Sequence, residues 1–199
     1  MANVSRINGL NPVKYLNGAA YNGQANTYFI PSGNAVNTFV GDPVKADATG
    51  DTVAAGGLAQ GFQSVVQAAA GDPIIGVIVG FAVVPTNLNT PQYRTASTGR
   101  YVLVADDPNI LYEGEVSGTT LTAADVGLNT NIIVGTGSTV SGNSAVSVSG
   151  TAAAVTATLQ LRLVGFTQRP DNEVGNAAAK VLVRINNHQM AASTGVAGV

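Results

Sequence analysis

Apolar positions in this chain recur with period two or in short unbroken runs, which is the spacing of strands rather than helices. Along residues 158–166, Leu159, Leu161 and Leu163 alternate with Gln160, Arg162 and Val164. This predicts a half-buried strand. Residues 179–185 repeat the pattern, with Val181, Val183 and Ile185 alternating with Leu182 and Arg184. Residues 74–84 are apolar on both faces, as expected of a central strand covered on both sides. Gly76 and Gly80 interrupt this run, either to let it coil or to let another backbone approach. Two hairpins are predicted. One joins residues 26–30 and 35–40 through Pro31-Ser32-Gly33-Asn34. The other joins residues 100–105 and 110–115 through the acidic turn Asp106-Asp107-Pro108-Asn109. Residues 62–70 fit a helical turn or a strand. Residues 132–134, 139–140 and 145–148 read as short strand pieces. The one helix signal is a short turn near Thr122, with Asp125 three residues on where a full capping box carries Glu or Gln.

The turn Gly-Asp-Pro occurs twice, at Gly41-Asp42-Pro43 and Gly71-Asp72-Pro73, and each copy leads into an apolar β-type segment. Between them residues 46–61 read as a Gly- and Ala-rich loop. The expected fold is all-β, a small β-barrel or β-sandwich. Residues 1–33, broken by Asn-Gly and Asn-Pro turns, read as an extended N-terminal arm. Residues 34–190 form the β-rich body, and residues 191–199 an extended C-terminal tail.

Composition narrows the function. Only 10% of the 199 residues are charged, against a usual share of about 25%. The nine Lys and Arg are scattered, with no two adjacent, so no nucleic-acid surface is expected. There is no Cys, which excludes disulfides and thiolate metal sites. No run is long enough for a membrane-spanning helix. No apolar signal core follows Met1, so export by that route is not expected. A surface of Gly, Ala, Ser, Thr and Asn suits a protein packed against copies of itself or a larger body.

Candidate chemistry is sparse. Asp47 and Asp51 lie in one loop without the further oxygen ligands of a calcium site. Asp106, Asp107, Glu113 and Glu115 fall in one predicted hairpin, with no nucleophile or histidine beside them. Gly135-Thr136-Gly137-Ser138 lacks the Lys of a phosphate loop. His188 is the single histidine and reads as a surface or interface residue. No enzyme activity, cofactor or metal is expected. Tyr15, Tyr21, Tyr28 and Phe29 punctuate the polar arm. Such rings either cap the arm's own barrel or meet a partner.

Several strings together resemble structural proteins of tailed-bacteriophage heads, in particular the capsid decoration or cement proteins. They are Gly41-Asp42-Pro43-Val44-Lys45, Ala69-Ala70-Gly71-Asp72-Pro73-Ile74-Ile75-Gly76-Val77, Arg100-Tyr101-Val102-Leu103-Val104-Ala105-Asp106-Asp107-Pro108, Leu161-Arg162-Leu163-Val164-Gly165-Phe166-Thr167-Gln168-Arg169-Pro170-Asp171-Asn172 and Val183-Arg184-Ile185-Asn186. The resemblance implies a homotrimer on the outer surface of an icosahedral shell, clamping neighbouring major capsid subunits. It implies no nucleic-acid or membrane partner. The arm, the tail and His188 of the body would then make the contacts, through Tyr15, Tyr21, Tyr28, Phe29, His188, Val196 and Val199. A head-fibre base or tail component is the alternative virion role. A carbohydrate-binding β-domain and a carboxylate hydrolase are further alternatives.

Overall fold

In a computed structural model of the protein, residues 3–50, 61–191 and 195–198 are described, and the chain is all-β. Its strands are β1 (Asn11–Tyr15), β2 (Asn26–Ile30), β3 (Pro43–Gly50), β4 (Gln63–Gln67), β5 (Gly76–Phe81), β6 (Arg100–Ala105), β7 (Ile110–Ser117), β8 (Asn129–Thr130), β9 (Ile132–Ile133), β10 (Ser147–Ser149), β11 (Leu161–Phe166) and β12 (Lys180–Ile185). A single 3₁₀ turn covers Ala123–Asp125 among the described residues. Strands β2-β4-β3-β5-β6 close into a barrel. Strands β8-β11-β12-β7-β10-β9 form a second sheet, and β1 also pairs with β7.

The two bodies share strand faces. Ile78 and Val104 point into the barrel core with Tyr28, Ile30, Val44, Val65, Ile75 and Val102. Their neighbours Val77 and Ala105 point outward, into the core of the second sheet with Tyr112, Val148, Leu161, Leu163, Val181, Val183 and Ile185. Successive strand residues face opposite ways. That is why β5 is apolar on both faces, as its sequence indicates. Gly76 lets β6 approach, because a Cβ there would stand 2.3 Å from the Ala105 carbonyl oxygen. Gly80 lies where the β5–β6 register shifts.

Both Gly-Asp-Pro copies fold alike. Gly41 and Gly71 have positive φ, at 92° and 88°. The Asp42 carboxylate accepts from the Phe39 N–H at 2.8 Å, and the Asp72 carboxylate from the Ala69 N–H at 2.9 Å. Each Asp N–H returns to the carbonyl of the same residue, at 3.2 Å. The first copy leads straight into β3. The second leads into β5, which pairs antiparallel with β3 at Pro43↔Val77.

Both predicted hairpins are corrected. Strand β6 pairs with β2 and β5 in the barrel, whereas β7 pairs with β12, β1 and β10 in the second sheet. The acidic turn is therefore a crossover between bodies. Asp106 accepts from Asn26 Nδ2 and, at 2.6 Å, from the Tyr28 hydroxyl, which pins the chain to the barrel. Asp107 caps the Asn109 N–H at 2.7 Å and releases the chain into β7. Strand β2 likewise pairs with β6 and closes the barrel on β4 at Phe29↔Ser64, not with residues 35–40. Residues 35–40 make only the isolated bridges Thr38↔Arg94 and Val40↔Asn143.

Other expectations shift less. Residues 62–70 resolve as strand, as β4. Strand β3 extends through Gly50 into the expected loop, whose residues 51–60 lie outside the described residues. Residues 139–140 are turn, not strand. The Asp125 carboxylate does bind the Thr122 N–H, at 2.7 Å, so Asp reaches where Glu was expected.

The N-terminal segment is not a free arm. Strand β1 pairs with β7, and Leu10 is fully buried, with its N–H on the Gly41 carbonyl at 3.0 Å. The tail at 195–198 is extended, but it too lies on its own chain. The Val196 N–H donates to Asn186 Oδ1 at 2.9 Å, and the Gly198 N–H to the Val155 carbonyl at 3.0 Å.

The close β5–β6 approach is testable. Gly76→Ala should destabilise the fold by about 1–3 kcal/mol, the usual range for overpacking. Gly165→Ala, in β11 with no atom within 4 Å of the new methyl, should leave the thermal midpoint nearly unchanged.

Candidate interaction surface

At the end of the barrel, three loops lie side by side. Residues 31–41 form the middle one. They bond residues 92–98 through Thr38 N–H to the Arg94 carbonyl at 2.9 Å and the reverse bond at 2.8 Å. On the other side they bond residues 134–144 through Val40 N–H to the Gly142 carbonyl at 3.0 Å and Ser144 N–H to the Val40 carbonyl at 2.8 Å. Phe39 stacks on Tyr93, with ring centroids 5.2 Å apart. Gly137 lies flat on the Phe39 ring, since a Cβ there would be 2.3 Å from its Cδ2.

Two side chains hold this assembly from beneath. Arg94 is completely buried, and among the described residues no carboxylate pairs with it. Its Nε donates to the Thr98 carbonyl at 2.7 Å. Its NH1 donates to Val36 at 2.6 Å, and its NH2 to Pro31 and Asn34 at 2.9 and 2.8 Å. Burial lowers its pKa to about 10, so it remains a cation at neutral pH. Asp42 is 1% exposed. Burial pushes its pKa up, opposed by hydrogen bonds from Ser144, the Phe39 N–H and Gln67. It thereby ties residues 39 and 144 to β4.

Arg94 is the only charged residue in segments 31–41, 82–99 and 134–144. The outer surface of these loops therefore carries no charge. It exposes Val36, Val83, Leu88, Val134 and Val140, the last at 97%. Two shallow grooves flank residues 36–40. One of about 320 Å³ is lined by Val40, Phe81, Val83, Leu88 and Pro91, with Arg100 at its wall, and one of about 510 Å³ by Val36, Phe39, Val134 and Gly137.

The acidic residues are committed elsewhere. Glu113 and Glu115 share one face of β7, in a polar cleft of about 400 Å³ beneath the N-terminal segment. Glu115 accepts from the Ser5 hydroxyl and the Arg6 N–H, both at 2.6 Å, and pairs with Lys180. Burial raises its pKa, but Lys180, Ser5 and the Arg6 N–H together outweigh burial and hold it low. Glu113 accepts from the Thr167 hydroxyl at 2.9 Å and from Arg169 at 3.3 Å. Both carboxylates fasten structure and face cations. Among the described residues, no group of three or more His, Cys, Asp and Glu is placed to hold a metal.

The expected contact residues divide. Tyr28 is 6% exposed and lines the barrel core. Burial and the Asp106 carboxylate raise its pKa. Phe29 is 3% exposed, with its ring 5.1 Å from Tyr101. His188 is 2% exposed. Its Nδ1 accepts the Met190 N–H at 3.0 Å, and burial lowers its pKa. These three are corrected, because their own chain covers them. Tyr15 and Tyr21 are half-buried and pack on each other at 6.1 Å, with their hydroxyls bound to Gln24. Val196 is 58% exposed, beside tail bonds to Asn129 and Asn186. Val199 lies outside the described residues.

Sequence reading missed Arg94, Asp42 and the three-loop surface. One signal was available: Arg94 is the only charged residue between Asp72 and Arg100. No protein-family model matches the chain, and neither the curated proteins nor the solved structures searched give a match.

Two substitutions test the fasteners. Arg94→Lys keeps the charge but cannot span four carbonyls. It should cost about 2–4 kcal/mol, each stranded buried acceptor costing ~1–3. Amide exchange should rise first in residues 34–40 and 94–98. Glu115→Gln should destabilise at neutral pH. The native pKa of Glu115 is depressed, so its stabilisation is present above the unfolded glutamate value of about 4.3 and fades as pH falls through the native value. The gap in urea unfolding free energy between wild type and variant should therefore narrow as pH drops below about 4.3.

Proposed function

We propose that the chain is a virion structural protein that binds the outer surface of an icosahedral phage head and stabilises the capsid by clamping neighbouring major capsid subunits. The observation that carries this reading is the three-loop surface, whose own segments expose no charged side chain and which is studded with Val36, Val83, Leu88, Val134 and Val140. A monomer gains nothing in solubility from such a surface, whereas a protein that lives against another protein does not need charge there. The sequence phrases that resemble phage head proteins, and the commitment of the carboxylates to internal bonds, point the same way. A homotrimer on the shell is part of the proposal.

The mechanism is binding linkage. A protein that binds the closed lattice and not its open form stabilises the closed form by mass action. Repeated over many copies, modest interfaces resist internal pressure without bond chemistry.

Cryo-electron microscopy of the purified particle tests this directly. The expected result is density on the outer shell with the barrel-end loops against capsid subunits or neighbouring copies. Density at a vertex or tail would move the role to a head-fibre base or tail component. Absence from particles would end the virion reading. Leu88→Asp combined with Val140→Asp should weaken shell binding by at least roughly tenfold, about 1.4 kcal/mol, with an unchanged thermal midpoint.

A further inference from the structure

The chain contains three Asn-Gly pairs, Asn8-Gly9, Asn17-Gly18 and Asn22-Gly23, all before or within the connection from β1 to β2. An Asn-Gly pair can modify itself. The glycine backbone nitrogen attacks the asparagine Cγ and forms a C–N bond, and Nδ2 leaves as ammonia. The product is a five-membered succinimide. Water then adds to either ring carbonyl and opens it to aspartate or isoaspartate. The net change is amide plus water to carboxylate plus ammonium, with no oxidant or reductant. Glycine favours the reaction because it has no Cβ to shield its nitrogen. Folding can still block it, by holding the N–H or by leaving no room for the ring.

The three sites differ on both counts. At Asn8-Gly9 the backbone is packed tight. Gly9 is buried, and a Cβ on it would stand 2.5 Å from the Gly41 carbonyl oxygen, while a Cβ on Gly41 would stand 2.6 Å from the Asn8 carbonyl oxygen. Isoaspartate lengthens the main chain by one carbon, and there is no space for it here. At Asn17-Gly18 there is space, but the attacking group is tied. The Gly18 N–H donates to the Tyr15 carbonyl at 2.9 Å, and Asn17 Oδ1 accepts the Ala19 N–H at 3.0 Å. At Asn22-Gly23 neither restraint holds. Both residues are exposed, and nothing lies within 4 Å of a Cβ on Gly23. The Gly23 N–H donates to no backbone carbonyl among the described residues. The Asn22 side chain makes one long contact, from the Tyr15 hydroxyl to Oδ1 at 3.5 Å.

We infer that Asn22 is a site of spontaneous deamidation in the folded protein, that Asn17 converts more slowly and that Asn8 is protected. The new carboxylate would stand beside the Tyr15 hydroxyl. That hydroxyl lies, with Gln24, Asp106 and Asp107, on the wall of a pocket of about 380 Å³. Ageing therefore places a third acid at the edge of an already acidic corner. Tyr15, at the end of β1, gains a charged acceptor, and such bonds are shorter and stronger than neutral ones.

The test uses the intact chain, incubated for weeks at mildly alkaline pH in ¹⁸O-water and mapped by peptide mass spectrometry. An isoaspartyl methyltransferase assay runs alongside. A urea-unfolded sample gives the intrinsic rate of each pair. In that control all three pairs should convert at similar rates. In the folded protein Asn22 should convert several-fold faster than Asn17, and Asn8 should retain its amide. Asn22→Gln should remove the fastest methyl-accepting site and leave the thermal midpoint unchanged. The inference fails if Asn17 or Asn8 converts as fast as Asn22 in the folded protein. It also fails if Asn22 stays an amide while the unfolded control converts. Neither result bears on the virion reading.

Discussion

The protein depends on a buried carboxylate. Asp42 is 1% exposed, has no cation paired with it among the described residues and is satisfied by the Phe39 N–H, Ser144 and Gln67. Those partners come from the middle barrel-end loop, the connection between β9 and β10, and β4. One side chain thus joins the barrel to the β9–β10 connection of the second sheet. The second Gly-Asp-Pro turn does the same with different chemistry. Its carbonyls at Ala69 and Asp72 accept from the fully buried Gln160 amide, at 2.8 Å each, and Gln160 Oε1 accepts the Ile132 N–H at 3.1 Å. Asp72 itself pairs with Lys45 at 2.8 Å. Burial raises both aspartates, but Lys45 and the Ala69 N–H reverse the sign for Asp72, whereas burial prevails for Asp42. One turn motif therefore serves twice, with the same backbone bonds and opposite electrostatics.

Part of the chain's sparse charge is used inside the fold, as fasteners. Arg94 holds four carbonyls. Arg100 NH1 holds the Pro91 and Tyr93 carbonyls, and its guanidinium lies 4.9 Å over the Phe81 ring. Lys180 and Glu115 hold the N-terminal segment. An unpaired buried guanidinium or carboxylate would be expensive, so each gathers several partners instead. With Arg94 buried, the three loop segments above it expose no charged side chain of their own. The loop surface and the fasteners below it are two sides of one allocation of charge.

Period-two alternation made the strands legible. Strands β11 and β12 bury Leu161, Leu163, Val181, Val183 and Ile185 as the pattern indicates, although β11 begins only at Leu161, leaving Leu159 outside it and Gln160 fully buried, and β5 is central with two apolar faces. Pairing was not legible, because strands adjacent in sequence need not be adjacent in a sheet. The acidic turn at residues 106–109 looks like any type I hairpin turn. Only the positions of Asn26 and Tyr28, some eighty residues upstream, make it a crossover. Arg94 was passed over for the same reason. Its partners are backbone carbonyls about sixty residues away, and carbonyls leave no mark in composition. The aromatic residues of the first thirty positions raised two readings, and Tyr28 and Phe29 resolved to core.

That outcome changes how the proposed role would work. An arm that wraps a neighbour must be ordered on binding, at a cost of about 1–2 kcal/mol per residue of backbone fixed. Here strand β1 already occupies the β7 edge, Leu10 is buried, and the described tail residues 195–198 are bonded to residues 155, 186 and 129. Their ordering has been met within the chain. What remains for a partner is a preformed surface whose three loops are cross-bonded and pinned by Arg94 and Asp42. Preorganised contact loses little entropy on docking, so a small apolar area yields more net affinity than its size suggests. A contact made mainly by apolar groups is also little affected by ionic screening, which acts on charges. A cement built this way would hold by rigid fit of many identical faces rather than by the reach of a flexible limb.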